Sequence, residues 1–260
     1  MAKTTSIFAK LPPLRGLLPL ILFLIAWQLL QPRQSPYFPP PSAWWTSVLT
    51  LLRDGRLMPA LGSTLLTFGA GLSAATLCGG AIGLLIGLSR RASRTLGPLL
   101  EFCRSLPPPV VVPMAVLLLG YSQSLKLLVV TWAAAWPILL NTASATSQIE
   151  PLLLSVARTY RLTSTDTVRK IVIPAVLPAF MLGMRVAVPL AIIVTLLVEM
   201  LTLMPGVGSL IVTAQREYHS AEVYGLLVLI GLLGFVLNNA FIVIEAKLLR
   251  RWPPRAHEIT

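Results

Sequence analysis

Charged residues are scarce in this sequence, and acidic ones are the scarcest. Only 12% of its 260 residues are charged, and nine of them are Asp or Glu, whereas 55% are hydrophobic. The mean hydropathy is +0.80. Soluble globular domains carry about twice that share of charged residues, so this composition excludes an ordinary soluble domain and predicts a protein embedded in a bilayer.

Basic residues outnumber acidic ones, which gives a formal net charge of +12. They lie in short clusters between apolar runs and not on one continuous face. A membrane topology with basic loops explains this pattern better than nucleic-acid binding does, and we expect lipid, not nucleic acid, around the chain.

Cysteine and histidine are limited to two residues each. Cys78 and Cys103 fall in apolar or nearly apolar runs without C-x-x-C spacing, which indicates neither a disulfide framework nor a thiolate metal site. His219 and His257 lie in different predicted compartments. We therefore expect no metal site.

Enzyme motifs are missing as well. The sequence contains no G-x-x-x-x-G-K-[ST], no G-x-S-x-G and no H-E-x-x-H. We predict no catalytic residue and no cofactor in this chain, so the energy for any transport must come from another subunit.

Long charge-free intervals predict an all-α membrane protein with about six transmembrane helices, since about 20 apolar residues cross the hydrocarbon core. The first interval has only 17 residues, but no small-residue cleavage site follows it, so it is predicted to be an uncleaved helix. The second is rich in glycine, which favours close helix packing. The predicted spans are 16–32, 57–89, 98–119, 127–146, 175–203 and 223–244.

These spans define a single permease-sized domain over residues 16–248, with a short segment 1–15 before it and a tail 249–260 after it. Of 21 Lys and Arg residues, fourteen lie at the two termini or in the loops near Arg90 and Arg158. Five lie on the opposite side, Lys126 and Arg216 among them, and two lie within spans. The asymmetry predicts that both termini face the cytoplasm.

Two external segments follow from that orientation. In the first, Pro39–Pro41 cannot form a hydrogen-bonded helix, so we expect extended chain and then a short interfacial helix over 42–52, with Trp44 and Trp45 at headgroup depth. The second begins with MPGVGS at 204–209, whose glycines permit a sharp re-entry towards the membrane.

A polar segment at 155–178 separates the fourth and fifth spans. Its first part has a helical apolar stripe, and the opposite face is polar. Thr163 and Asp166 fit a capping box that begins a second helix, whose apolar face Pro174 is predicted to interrupt. The stripe consists of Leu152, Leu153, Val156, Ala157 and Tyr160.

This segment resembles the cytoplasmic loop of permease subunits in binding-protein-dependent ABC importers, whose pattern is E-A-A, three residues, Gly, nine residues and I-x-L-P. Ala157 takes the third position, and 171–174 supply the final I-V-I-P. Ser155 stands at the family's Glu, and Arg161 at its Gly. The wider run, together with M-R at 184–185, is similar to the taurine, sulfonate and nitrate branch, and the resemblance covers about 61–252.

The resemblance implies a type I importer permease, multi-pass in the bacterial inner (cytoplasmic) membrane. The implied partners are two ABC ATPase subunits that bind ATP and Mg, a second copy of the permease, and a periplasmic or lipid-anchored solute-binding protein. The implied solute is small and anionic or polar, such as a sulfonate, taurine or nitrate. The residues expected to dock the ATPase lie within the loop 150–174 and are Ser155, Val156, Ala157, Arg158, Tyr160, Arg161, Asp166 and Pro174.

Ionisable residues inside spans are costly unless they are paired or face a water-filled cavity. Arg104 lies three residues after Glu101 and can pair with it. Arg185 and Glu199 are roughly 20 Å apart along one helix and cannot pair with each other. We predict Arg104, Arg185 and Glu199 as pathway candidates, with Arg185 a transient contact for an anion and Glu199 a structural acceptor near the outer gate.

Glu245 remains, and with Lys247 and Arg250 it is predicted to form an interfacial charge cluster. One alternative function is an ion-coupled secondary carrier that uses Arg185 and Glu199 as its coupling pair, and another is a non-transporting membrane scaffold. A carrier of that kind is expected to show inverted repeats with interrupted helices, and the sequence shows no such pairing.

Overall fold

A computed structural model of the protein describes residues 18–30 and 37–250, except for the side chains of residues 90 and 154. Within these ranges the chain is helical and contains no strand. The predicted segment 1–15 and nearly all of the predicted tail lie outside the described residues. The helices are α1 Leu18–Leu30, α2 Pro41–Arg53, α3 Leu57–Leu88, α4 Arg90–Arg104, α5 Pro108–Leu119, α6 Gln123–Ser147, α7 Pro151–Thr159, α8 Ser164–Thr167, α9 Ile173–Thr202, α10 Val207–Arg216 and α11 Ser220–Leu249.

The core consists of α6 packed between α3 and α9. Four glycines of α3 allow its backbone to approach α6 closely. A Cβ at Gly83, for example, would lie 2.7 Å from the carbonyl oxygen of Leu139. The others are Gly71, Gly79 and Gly87, whereas Gly62 and Gly69 face open space. Gly80 lies against the Phe180 ring of α9 instead. The prediction of close packing is therefore confirmed for five of the seven glycines in this span and wrong for Gly62 and Gly69.

The long apolar helices agree broadly with the predicted spans. Among the described residues, four helices are long and apolar enough to cross a membrane, and the number rises to five if the bent pair α4 and α5 is taken as one span. The first predicted span corresponds to the shorter apolar helix α1. The architecture is consistent with about six membrane helices.

The third predicted span needs a correction, because its two halves are bent by 93° to each other. The break falls at the predicted proline run, since α5 begins at Pro108. At 1.5 Å per residue the 12 residues of α5 cover only about 18 Å, less than the hydrocarbon core. Neither half alone is a full span.

The fifth span is longer than predicted. Residues Ser164–Thr202 form one helical stretch, and Pro174 lies in the first turn of α9 without ending it. A π-helical turn, Val168–Val172, directly precedes α9, and only Ile173 separates it from the proline. Proline lacks an N–H group and clashes with the carbonyl four residues earlier in a regular helix, and the wider turn is compatible with both properties. The predicted interruption at Pro174 is therefore wrong.

Three side chains, Trp27, Trp44 and Tyr224, form the outer aromatic cluster. This cluster holds α2 against α1 and α11. Pro40 is extended (φ −67°, ψ 153°), and α2 begins at Pro41, one residue before the predicted start, because proline is tolerated in the first turn of a helix. The buried Trp44 donates its indole N–H to the carbonyl of Pro39 and stacks on Tyr224, while Trp27 meets both rings edge-on. Trp45 is exposed. Trp44 is therefore a packing residue, and the headgroup depth of both tryptophans remains a prediction.

Candidate functional site

A buried ion pair joins the core helices near the α9–α10 corner. The Lys126 ammonium on α6 lies 3.0 Å from the Glu199 carboxylate on α9, and the two side chains are 1% and 0% exposed. Lys126 also donates to the Ser63 hydroxyl and to the carbonyl of Pro205. The ammonium therefore uses all three of its donors.

The carboxylate of Glu199 likewise has several hydrogen-bond partners. It accepts hydrogen bonds from the Thr64 hydroxyl and from the backbone N–H of Gly208, in addition to Lys126. A Cβ at Gly206 would lie 2.0 Å from the Glu199 carboxyl carbon. The glycines of the predicted re-entry segment are thus required because the corner closes over the carboxylate.

This network bears on two of the sequence predictions. Lys126 is predicted as an external loop charge, but it is buried, because the start of α6 lies inside the protein. Glu199 is an acceptor within the structure, as predicted, but as a pathway candidate its side chain is inaccessible to a permeating solute in this conformation. Sequence reasoning missed Lys126 because it directly precedes a predicted span and was assigned to the loop.

A second ion pair joins α9 to α11. The Arg185 guanidinium donates to Glu245 at 2.7 and 3.2 Å, with Glu245 largely buried and Arg185 53% exposed. Glu245 is therefore a partner of Arg185, and its assignment to an interfacial cluster with Lys247 and Arg250 is wrong. Arg185 and Glu199, the two pathway candidates on α9, are each neutralised by a residue of a different helix. They therefore do not form the coupling pair that the carrier alternative required.

The third pathway candidate, Arg104, lies on the polar helix α4. It pairs with Glu101 one turn earlier, and the two side chains are 50% and 61% exposed. The i, i+3 pairing is as predicted. The helix α4 is sharply bent away from α5 and is not one of the four long apolar helices. This ion pair therefore lies outside those four helices.

The loop between α6 and α9 carries the predicted docking residues. In α7, Ala157 is buried, whereas Val156, Leu152 and Tyr160 are exposed, Tyr160 at 76%. Ser155 donates its hydroxyl to the carbonyl of Pro151, and Arg158 is exposed. The predicted apolar stripe is thus mostly uncovered within this chain. Contact of these side chains with an ATPase remains a prediction.

Arg161 ends this helix in a left-handed conformation, with φ 51°. Its backbone N–H bonds to the carbonyl of Arg158. Left-handed geometry after a helix favours glycine, because a Cβ there costs roughly 1 kcal/mol or more. The glycine of the loop pattern stands at this position, so the departure at Arg161 changes the residue but keeps the backbone geometry.

The second half of the loop begins with the predicted capping box. The backbone N–H of Asp166 donates to the Thr163 hydroxyl, which in turn donates to the Asp166 carboxylate. Lys170 pairs with Asp166 one turn later. Pro174 is half-buried at the start of α9 and continues the same helical stretch.

Four long apolar helices among the described residues, with one buried and one partly exposed ion pair between them and a polar two-helix loop, define a multi-pass α-helical membrane protein. A family model described as "Binding-protein-dependent transport system inner membrane component" matches residues 79–252. The match covers more than half of the chain, and the protein therefore belongs to this family.

Several similar proteins are named as permeases of bicarbonate, nitrate or sulfonate transport systems. The bicarbonate transport system permease protein CmpB of Synechocystis sp. is 30% identical over 247 residues, which is 90% of this chain and 87% of that protein. The nitrate import permease protein NrtB of Leptolyngbya laminosa is 30% identical over 71% of this chain and 66% of its own length. A putative aliphatic sulfonates transport permease, SsuC of Bacillus subtilis, is 27% identical over 79% of this chain and 75% of its own length.

The fold is also found among solved structures. An inward-facing conformation of the MetNI methionine ABC transporter contains a chain that matches with a TM-score of 0.64 at 19% sequence identity, covering 75% of this chain and 97% of that one. The shared fold agrees with the predicted type I importer permease architecture.

Proposed function

We propose that this chain is the membrane-spanning subunit of an ATP-driven importer for a small oxyanion delivered by a solute-binding protein. Its relatives are permeases for bicarbonate, nitrate and aliphatic sulfonates, which share a small size and delocalised negative charge on oxygen. Methionine, named for the structural neighbour, differs from this set, and at 19% identity that likeness concerns the fold alone.

The observation that carries the proposal is the uncovered loop helix α7. Val156 and Tyr160 expose apolar surface there, and the cationic Arg158 and Arg161 flank them. Large exposed apolar side chains rimmed by charge are typical of a protein contact. We assign this surface to an ATPase subunit, two copies of which would serve two copies of the permease and hold the ATP and Mg.

In this assignment α7 and α8 face the cytoplasm, the α9–α10 corner faces the binding protein, and the chain lies in the bacterial inner membrane. ATP binding and hydrolysis would then alternate the exposure of a path between the two permease copies. The chain itself contributes no catalytic group.

Replacing Tyr160 with Asp tests the docking surface. A carboxylate buried without a partner at the contact would cost several kcal/mol, so we expect the ATPase to dissociate from the purified complex and uptake to be lost. Thr159→Asp, on the neighbouring exposed position, is the matched control for added charge. If the Tyr160→Asp complex keeps its ATPase and transports normally, α7 is not the docking helix.

The substrate class requires a second experiment. The permease would be reconstituted in proteoliposomes with its ATPase and solute-binding protein, and ATP-dependent uptake of labelled nitrate, bicarbonate and methanesulfonate would be measured. Uptake of at least one of them above that of a neutral control such as glycerol is expected. Uptake of none would refute the oxyanion assignment.

A further inference from the structure

Two tryptophans of α6 bury hydrogen-bond donors that have no acceptor. The indole nitrogens of Trp132 and Trp136 are shielded from solvent, and neither has a hydrogen-bond partner among residues 18–30 and 37–250. Buried polar groups in folded proteins are nearly always paired, so an orphaned donor needs an explanation. Because these two donors lie one helical turn apart, a single explanation should account for both.

The two side chains form a single unit. Their rings meet edge to face, with centroids 5.1 Å apart, and Trp132 packs against the main hydrophobic core. Their positions four residues apart place them on one side of α6, roughly 6 Å apart along its axis. Both lie in the middle of this 25-residue helix, far from either end.

The cationic side chains of α6 and α9 already have partners within the chain. Lys126 is buried and fully engaged by Glu199, and Arg185, although half exposed, is paired with Glu245. Among the described residues of α6, the two indole N–H groups are the donors left without an acceptor.

We propose that Trp132 and Trp136 form a neutral two-donor site through which the transported oxyanion passes. An indole N–H donates but cannot accept, so the site favours an anion over a cation. Hydrogen bonds to a charged acceptor are about twice as strong as neutral ones, yet without a full positive charge the anion can still leave. The inference rests on the proposed function and adds the position where the solute is recognised inside the membrane.

Access to the site requires a change in α6, because the nitrogens are shielded in this conformation. Pro137 follows Trp136 directly and lies inside the helix. Proline cannot donate to the carbonyl of Ala133, which makes this level the easiest place for the helix to bend. Gly183 of α9 packs against the Pro137 carbonyl, so a movement of α9 would act at the same point.

The test removes each donor while it keeps the ring. Benzothienylalanine, which carries sulfur in place of the indole N–H, is introduced at positions 132 and 136, singly and together, in the complete reconstituted transporter. We expect kcat/KM for uptake of the transported anion among nitrate, bicarbonate and methanesulfonate to fall about tenfold to a hundredfold, as for loss of a hydrogen bond to a charged group. Because the donors are unpartnered at rest, thermal stability should not fall.

The same replacement at Trp27, whose indole nitrogen is also buried without a partner in the described chain but belongs to the outer aromatic cluster, is the matched control and should leave uptake unchanged. Uptake within twofold of the wild type in the double replacement would overturn the inference. A melting temperature lowered by several degrees would also overturn it, since the N–H groups would then have structural partners. If the wild type takes up none of the three anions, the failure lies in the proposed function instead.

Discussion

Removal of the Lys126 charge tests the central ion pair most directly. In Lys126→Met the side chain keeps most of its apolar stem, but the Glu199 carboxylate remains at 0% exposure without its countercharge. Breaking a buried pair by removing one partner costs about 3–5 kcal/mol, because a charge is left uncompensated. The carbonyl of Pro205 also loses a donor, so the loss should not fall below this range.

That loss predicts a melting temperature lower by roughly 6–20 °C, since about 1 kcal/mol shifts a chain of this size by 2–4 °C. The measurement is thermal unfolding of the detergent-solubilised complex, together with its abundance in membranes. Lys247→Met removes the same charge from an exposed position and is the matched control, with no expected effect beyond 1 °C.

The double variant Lys126→Met/Glu199→Gln separates charge from packing. It removes the stranded charge but keeps an oxygen that accepts from Thr64 and Gly208. More than half of the lost stability should return. If Lys126→Met is as stable as the wild type, or if the double variant is no more stable than the single one, the ion pair does not hold the α9–α10 corner in place.

Three further predictions follow from single contacts. Arg161→Gly relieves the left-handed backbone and should stabilise the isolated permease by about 1 kcal/mol, whereas Arg161→Ala should not; equal melting temperatures for the two variants would contradict this. Gly83→Val places side-chain atoms against the Leu139 carbonyl and should reduce membrane abundance severalfold, while Gly69→Val, in open space, should not; equal abundance would refute the α3–α6 contact. Arg185→Met strands Glu245 and should lower abundance, which Arg185→Met/Glu245→Gln should restore; if the single variant retains normal abundance but loses uptake, Arg185 serves the pathway and not the fold.

Sequence patterns predicted the elements whose cause is local. The apolar runs around α3, α6, α9 and α11 reflect the length needed to cross a bilayer, which composition alone reveals. The capping box at Thr163 and Asp166, and the helix restart after Pro40, depend on residues within one turn of each other. The family's loop pattern was visible because its spacing is also local.

The tertiary structure alone decided which charges meet. Lys126 and Glu199 are 73 residues apart, and Arg185 and Glu245 are 60 apart. Their pairing depends on how helices pack and in which register, and neither is encoded in a local period. The same holds for which glycines of α3 face α6 and for the bend between α4 and α5. The sequence determined that this protein is a bundle of membrane helices with a polar loop. Helix packing determined that its buried charges are neutralised and that two indole donors of α6 have no acceptor in the described part of the chain, because partners distant in sequence become neighbours only in the folded chain.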